Sequence, residues 1–272
     1  MSAPAPTGTP TRHRTLRTVL LVAGSLVLAL LLVLVVGQAV SSTQRVGSSS
    51  GGEVTEPFDR VSVESAAADV VVEQADVDRA EIVFDAGSSK LTERHRVSGG
   101  ELVVEVRGPR WNLFDGTIGV SDGPRLTVRV PATLEGADLD LGSAAGDVSV
   151  TGAFGDVSVS STGGDVDLAG SVVDLEVESA AGDVTARQLE VTGEVETSTS
   201  AGDVELDLAT APTALVVESA AGDQRVLLPT GRYAVTTESV VGDVRNDLGS
   251  DPGSSTRYRF SAVAGDITLE RR

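Results

Sequence analysis

From Val61 onward the apolar residues alternate with polar ones, as in Val61-Val63, Leu102-Val104-Val106, Leu126-Val128-Val130 and Leu139-Leu141. A period of two, with much Val and Thr, predicts strands with one face turned inward. No stretch after residue 40 shows the spacing of an amphipathic helix, so the fold class expected is all-β. The strands are punctuated by eight Gly-Asp pairs: Gly146-Asp147, Gly155-Asp156, Gly164-Asp165, Gly182-Asp183, Gly202-Asp203, Gly222-Asp223, Gly242-Asp243 and Gly265-Asp266. The steps between successive Asp residues are 9, 9, 18, 20, 20, 20 and 23. Near-constant spacing marks a repeat architecture, in which each unit buries its apolar face only against its neighbours.

The units align by eye. LEVESAAGDV begins at Leu175, VETSTSAGDV at Val195, LVVESAAGDQ at Leu215 and VTTESVVGDV at Val235. YRFSAVAGDI at Tyr258 is looser, LDLGSAAGDV at Leu139 is an earlier echo, and VSVESAAADV at Val61 has Ala where the others have Gly. A unit of this length holds about two strands and their turns. The nine-residue steps are then half-units, with a Gly-Asp corner at each end of a flattened coil. These features predict a repeat-built β-solenoid, or β-helix-like domain, with a curled antiparallel β-sandwich as the alternative. Ser179, Thr199, Ser219 and Ser239 should stack in one column, and Ala181, Ala201, Ala221 and Val241 in another that admits only small side chains. Gly at the corner suits a positive φ. The pattern breaks between Lys90 and Pro124, which reads as a loop or an excursion from the stack. Trp111 and Phe114, its aromatic pair, read as a local core plug.

The first forty residues follow another rule. Arg12, Arg14 and Arg17 precede an uncharged, Leu- and Val-rich run from Val19 to Val40. Twenty-two helical residues span roughly 33 Å, enough to cross a hydrocarbon core. The run is longer than the apolar core of an ordinary signal peptide, although Gly37 and Ala39 would suit cleavage. The basic flank places the N-terminus in the cytoplasm. The expected organisation is a cytoplasmic tail at 1–18, a transmembrane helix at 19–40, a Ser/Gly-rich linker at 41–57 and an extracytoplasmic β-repeat domain at 58–272. The protein is then a single-pass plasma-membrane protein.

Charge sharpens this picture. All 40 acidic residues follow position 40, against 18 of the 21 Lys and Arg, so the exported part carries −22. Such a domain repels nucleic acid and favours cations or basic partners. The chain has no Cys, so neither disulfides nor a thiolate metal site support it.

The corner Asp residues are the first candidates for chemistry. In an Asx-type turn each carboxylate accepts a nearby backbone N–H. Alternatively, stacked carboxylates about 5 Å apart could bind calcium, with Asp147, Asp156 and Asp165 as candidates. TGGDVDLAG around Asp165 only approximates the calcium-binding nonapeptide. Outward Glu176, Glu178, Glu194, Glu196, Glu205 and Asp207 form either a solvated face that resists aggregation or a docking surface for a basic partner.

Catalysis has little to draw on: His95 is the one exported His, and no nucleophile elbow is present. No catalytic residue and no cofactor is assigned. The expected function is a noncatalytic membrane-anchored module contacting an envelope protein or a cell-wall polymer, or sensing the envelope. A polysaccharide-acting β-helix enzyme and a calcium-binding repeat protein are the alternatives.

VSVESAAADVVVEQADVDRAEIVF, ELVVEVRG and LTVRVPATLEGADLDLGSAAGDVSV, followed by the Gly-Asp repeats, resemble the bacterial putative-adhesin family of β-strand-repeat proteins. The most specific piece is the strand ending in Val130-Pro131 with a Gly-Asp-Val-x-Val turn soon after. The resemblance covers about residues 58–270. It implies an all-β repeat domain behind a membrane segment, often actinobacterial, with a role in surface attachment or envelope sensing. It brings no catalytic residues.

Overall fold

The computed structural model describes residues 50–87, 89–108 and 123–272. The expected tail and membrane segment, most of the linker, and Trp111 and Phe114 lie outside the described residues.

The described residues form strands and turns, with no helix among them. The first group is β1 (Gly51–Val54), β2 (Arg60–Ser65), β3 (Asp69–Ala75), β4 (Ala80–Asp85), β5 (Thr92–Ser98), β6 (Glu101–Arg107) and β7 (Arg125–Pro131). A regular run follows: β8 (Asp138–Ser143), β9 (Val148–Ala153), β10 (Val157–Ser161), β11 (Val166–Val172) and β12 (Leu175–Ser179). It continues through β13 (Val184–Val191), β14 (Glu194–Thr199), β15 (Val204–Leu208), β16 (Ala214–Ala221) and β17 (Gln224–Leu228). The remainder is β18 (Ala234–Val241), β19 (Val244–Asn246), β20 (Arg257–Ala264) and β21 (Ile267–Arg271).

From β8 to β17 alternate strands join opposite sheets, one of eleven strands and one of ten. Each strand lies parallel to the strand two places on, so two strands and two corners make one turn. The register keeps like over like: Leu139, Val157, Leu175, Val195 and Leu215 form one inward row of the ten-stranded sheet. All five are at most 2% exposed, and Val148, Val166, Val184 and Val204 form the matching row opposite. Alternation in sequence thus becomes a continuous aliphatic core between two sheets. Truncating one such side chain, as in Leu206→Ala, removes about 2–5 kcal/mol.

Among the described residues, antiparallel pairing is confined to β1–β4, β4–β7 and β5–β6. A curled antiparallel sandwich therefore does not describe the sheets. Two boundaries also move. Gly51–Val54, expected in the linker, is a strand: Val54 is buried, and Gly51 has no Cβ where the Ile82 carbonyl stands 2.5 Å away. The excursion after Lys90 contains the β5–β6 hairpin, turned by Gly99 and Gly100 at φ 65° and 85°. Leu102, Val104 and Val106 of β6 then continue the core in parallel beside β2.

Stacking order departs from chain order at both ends. The β6–β7 turn lies outside β2–β3, and the β20–β21 turn is inserted between β16–β17 and β18–β19. Side chains account for the second exchange. Tyr258 and Phe260 of β20 are almost wholly buried, and Tyr258 donates its hydroxyl to the Pro212 carbonyl at 2.9 Å. The corresponding inward residues of β18, Val235, Thr237 and Ser239, tolerate the end position, where they are only half-buried. Tyr233 stacks on Tyr258 with ring centroids 4.7 Å apart, and Leu248 covers part of the open core.

Candidate functional site

At one edge of the stack each turn makes the same corner. An inward Ser closes it locally: Ser65, Ser143, Ser161 and Ser179 donate to the carbonyl three residues on at 2.9, 3.1, 3.2 and 3.4 Å. The corner Gly comes next with positive φ, from 111° at Gly146 to 143° at Gly242 and Gly265. A Cβ on Gly202 would collide with the carbonyl of Gly182 in the turn below, so close approach demands glycine as much as the dihedral does. The alanine column is different. Ala181, Ala201, Ala221 and Val241 are exposed, not hemmed in, because the chain turns outward between the inward Ser and the Gly.

The Asp residues of this edge form a ladder. The backbone N–H of Asp147 donates to Asp69 Oδ1 at 3.2 Å, and Asp165 to Asp147 at 2.9 Å. The series continues with Asp183 to Asp165 at 2.9 Å, Asp203 to Asp183 at 2.8 Å and Asp223 to Asp203 at 2.8 Å. It then follows spatial order, Asp266 to Asp223 at 2.9 Å and Asp243 to Asp266 at 2.8 Å. In return, the N–H of the residue after each Asp donates to the Asp carbonyl of the next turn, as Val184 does to Asp203. The carboxylates thus do accept N–H groups, but from the next turn and not from the same Asx turn.

Asp156 lies at the opposite corner, where its N–H donates to Asp138 Oδ1 at 3.1 Å. Glu194 does the same to Asp174 at 2.6 Å. Gly155 is not in the left-handed region; its reason is space, since a Cβ would stand 2.6 Å from the Gly136 carbonyl. The Gly-Asp pattern of the sequence does not mark Asp138 and Asp174. Their 18-residue offsets from Asp156 were the available signal, hidden because neither follows a glycine. The candidate calcium positions are therefore two neighbouring rungs, Asp147 and Asp165, and one residue on the far corner. Among the described residues no three His, Asp or Glu side chains gather as a metal site.

The two outer faces differ in charge. On the eleven-stranded sheet, Arg129 pairs with Glu73 at 2.9 Å, Arg187 with Asp167 at 2.8 Å and Arg225 with Glu270 at 3.0 Å. On the ten-stranded sheet, Asp140, Glu176, Glu178, Glu196 and Glu218 have no ion pair among the described residues. Burial, then Glu176 and Glu196, raises the pKa of Glu178. Glu64 is raised by burial, then by Asp140, with Arg107 opposing. Beside this face a shallow groove of about 500 Å³ runs along the corner, lined mainly by carboxylates, among them Asp156, Asp174, Glu194 and Glu196, with Arg60 paired to Asp138 at one end.

The family model described as Toastrack DUF4097 matches residues 58–272. The chain belongs to this family. The Toastrack assignment agrees with the putative-adhesin resemblance of the sequence. The domain is similar to a putative adhesin from Bacteroides fragilis (15% identity, 85% of this chain and 100% of that one, TM-score 0.43). It is also similar to one from Parabacteroides distasonis (9%, 83% and 98%, 0.43) and to a putative cell adhesion protein from Clostridium sporogenes (13%, 82% and 99%, 0.37). No curated protein matches.

In this Toastrack domain His95 sits at the N-terminal end of the stack, away from the acidic groove. Its Nδ1 lies 2.8 Å from Glu93 Oε1, while Ser50 donates to Glu93 Oε2 at 2.8 Å. The carboxylate stands between hydroxyl and imidazole, so the Ser has no base to activate it and the trio does not form a Ser-His-acid relay.

Proposed function

We propose that this chain is a noncatalytic, membrane-anchored envelope module whose β-solenoid displays the ten-stranded sheet to a basic surface on an envelope protein or cell-wall polymer. The observation that carries this reading is a run of acid in the middle of one face: the ten-stranded sheet has ion pairs at Arg60–Asp138, Arg96–Glu105 and Arg107–Glu105, near one end, while Asp140, Glu176, Glu178, Glu196 and Glu218 stand unpaired along it among the described residues. Like charges held in register on neighbouring strands destabilise a sheet. Glu176 and Glu196 are direct partners in the register, so the face keeps a cost that a purely structural sheet could shed by substitution. The repeat supplies a long, regular surface, and its best-formed depressions among the described residues are open grooves, which fits adhesion or envelope sensing better than turnover of a small substrate.

Cross-linking in intact cells, followed by affinity capture, tests the reading. A partner recovered with the unaltered chain should be lost with Glu176→Lys/Glu196→Lys and retained with Arg187→Glu on the other face. Equal recovery from all three would refute the assignment of the face. Turnover of a wall glycan by the purified protein would refute the noncatalytic role. Protease added to spheroplasts should remove residues 58–272, and their protection would refute the topology.

A further inference from the structure

The β18–β19 turn ends the stack, and its corner carries bulkier side chains than the corners beneath it. Three inner corners carry Ala180-Ala181, Ser200-Ala201 and Ala220-Ala221 before the Gly, and the β20–β21 corner carries Val263-Ala264, with one valine in place of two. The end turn carries Val240 and Val241, 65% and 66% exposed. Val244 is 43% exposed at the position where Val184 and Val204 are fully buried. Three valines thus form an apolar corner at the uncovered end.

The backbone edge there is open as well. Ser250 Oγ accepts the N–H of Val235 and donates to its carbonyl, both at 3.0 Å, which closes the start of β18. By strand alternation the next outward-facing backbone groups belong to Thr237 and Ser239. Among the described residues neither has a partner across that edge, since β18 is the last strand of its sheet. The Asp ladder stops at the same place: Asp243 donates its N–H to Asp266, and no following N–H reaches the Asp243 carboxylate among the described residues.

We propose that this end binds a second copy of the chain, edge to edge about a two-fold axis, with β18 of each copy antiparallel to the other. Charge selects this occupant. Residues 133–222 hold one Arg and 18 carboxylates, net −17, so copies meeting side by side through the middle of the stack would repel. Residues 223–272 hold seven Arg and seven carboxylates, net zero. The end is the part of a strongly acidic domain where two copies approach without that penalty.

Topology selects the symmetry. The opposite end is closed by β1, β4 and β5, antiparallel strands whose outer members carry Glu53, Arg94, His95 and Arg96. Charge on those edge strands opposes head-to-tail growth, which favours a closed, isologous pair. A register centred on Ser239 sets Glu238 of one copy beside Val240 of the other and keeps the two Glu238 side chains apart. The end turn measures about 10 Å by roughly 25 Å, below the ~800 Å² per partner of a standard interface. Association is accordingly weak in dilute solution, and a covalent trap is the suitable probe. The proposal does not depend on what the acidic face binds.

The absence of Cys makes the test clean. Full-length Val240→Cys and Val241→Cys, oxidised in membranes from the cells that make them, should each give a disulfide-linked dimer. Val173→Cys, 44% exposed in the middle of the stack, should give several-fold less. Adding Val244→Glu to either end variant should return it to monomer. A dimer from neither end variant, an equal yield from Val173→Cys, or an adduct with a different protein in place of the dimer would each overturn the proposal.

Discussion

The carboxylate of Asp183 accepts the backbone N–H of Asp203 at 2.8 Å, twenty residues on in the chain and one turn away in space. The same side chain therefore fixes both the corner and the spacing of the stack. Asp183→Ala should cost about 1 kcal/mol through the unmet N–H, and Asp183→Asn less because an acceptor oxygen remains. Asp147 and Asp223 are four turns apart, roughly 19 Å, so their Ala substitutions should add without coupling. Urea unfolding of the single and double variants checks both statements.

Gly202→Ala should destabilise by more than the ~1–3 kcal/mol of a strained dihedral alone, because its Cβ meets the Gly182 carbonyl at φ 127°. Gly163→Ala is the control. Its Cβ would find only the Ala144 carbonyl, at 3.9 Å, and it should leave the melting temperature nearly unchanged.

Thr197 is fully buried between Val177 and Val217 on the adjoining strands, and its Oγ1 has no partner. Thr197→Val keeps the shape and removes an unmet hydroxyl. It should stabilise the domain by about 1–2 kcal/mol, read as a higher urea midpoint at unchanged slope.

Glu64 and Glu178 hold their protons more tightly in the folded chain than at the ordinary value of 4.5. Folded protein gains these protons first as pH falls, so stability rises from neutral pH through the raised folded values. It gains nothing more from these groups once pH is below 4.5, where both states are protonated. Scanning calorimetry should show a higher melting temperature on mild acidification. Glu178→Gln should raise it already at neutral pH and diminish the acid-side rise.

Much of this architecture is legible in the chain. The Gly-Asp spacing locates one edge of the stack, and the nine-residue steps around Asp156 point to the second edge. The identity of the ladder's donors is not legible, because an Asp that caps its own turn and one that reaches the next turn occupy the same sequence pattern. Stacking order at the end is hidden for a different reason. The inward Val, Leu and Ile of all turns are interchangeable, and only Tyr258 and Phe260, too large to leave at an open end, distinguish the turn that must be enclosed. The acidic stretch of the ten-stranded face is half visible in the sequence. Glu176, Glu178 and Glu196 could be placed outward by parity, but Glu205 and Asp207 lie on the other sheet, where Arg225 and Arg272 approach them at 3.5 and 2.9 Å.

The exchange of the last two turns also sets a timetable for assembly. A stack that follows chain order can lengthen from its first turn as the polypeptide emerges, each addition needing only the turn already in place. Here the β18–β19 segment emerges before the residues on which it must rest. It waits without a neighbour until β20 and β21 slide in beneath it. Loss of residues 257–271 would then remove two inter-turn seams, not one, and leave an earlier segment with nowhere to dock. Residues 257–271 therefore complete the stack for an earlier segment as well as for themselves, and a chain lacking them should leave β18–β19 undocked and open to proteolysis.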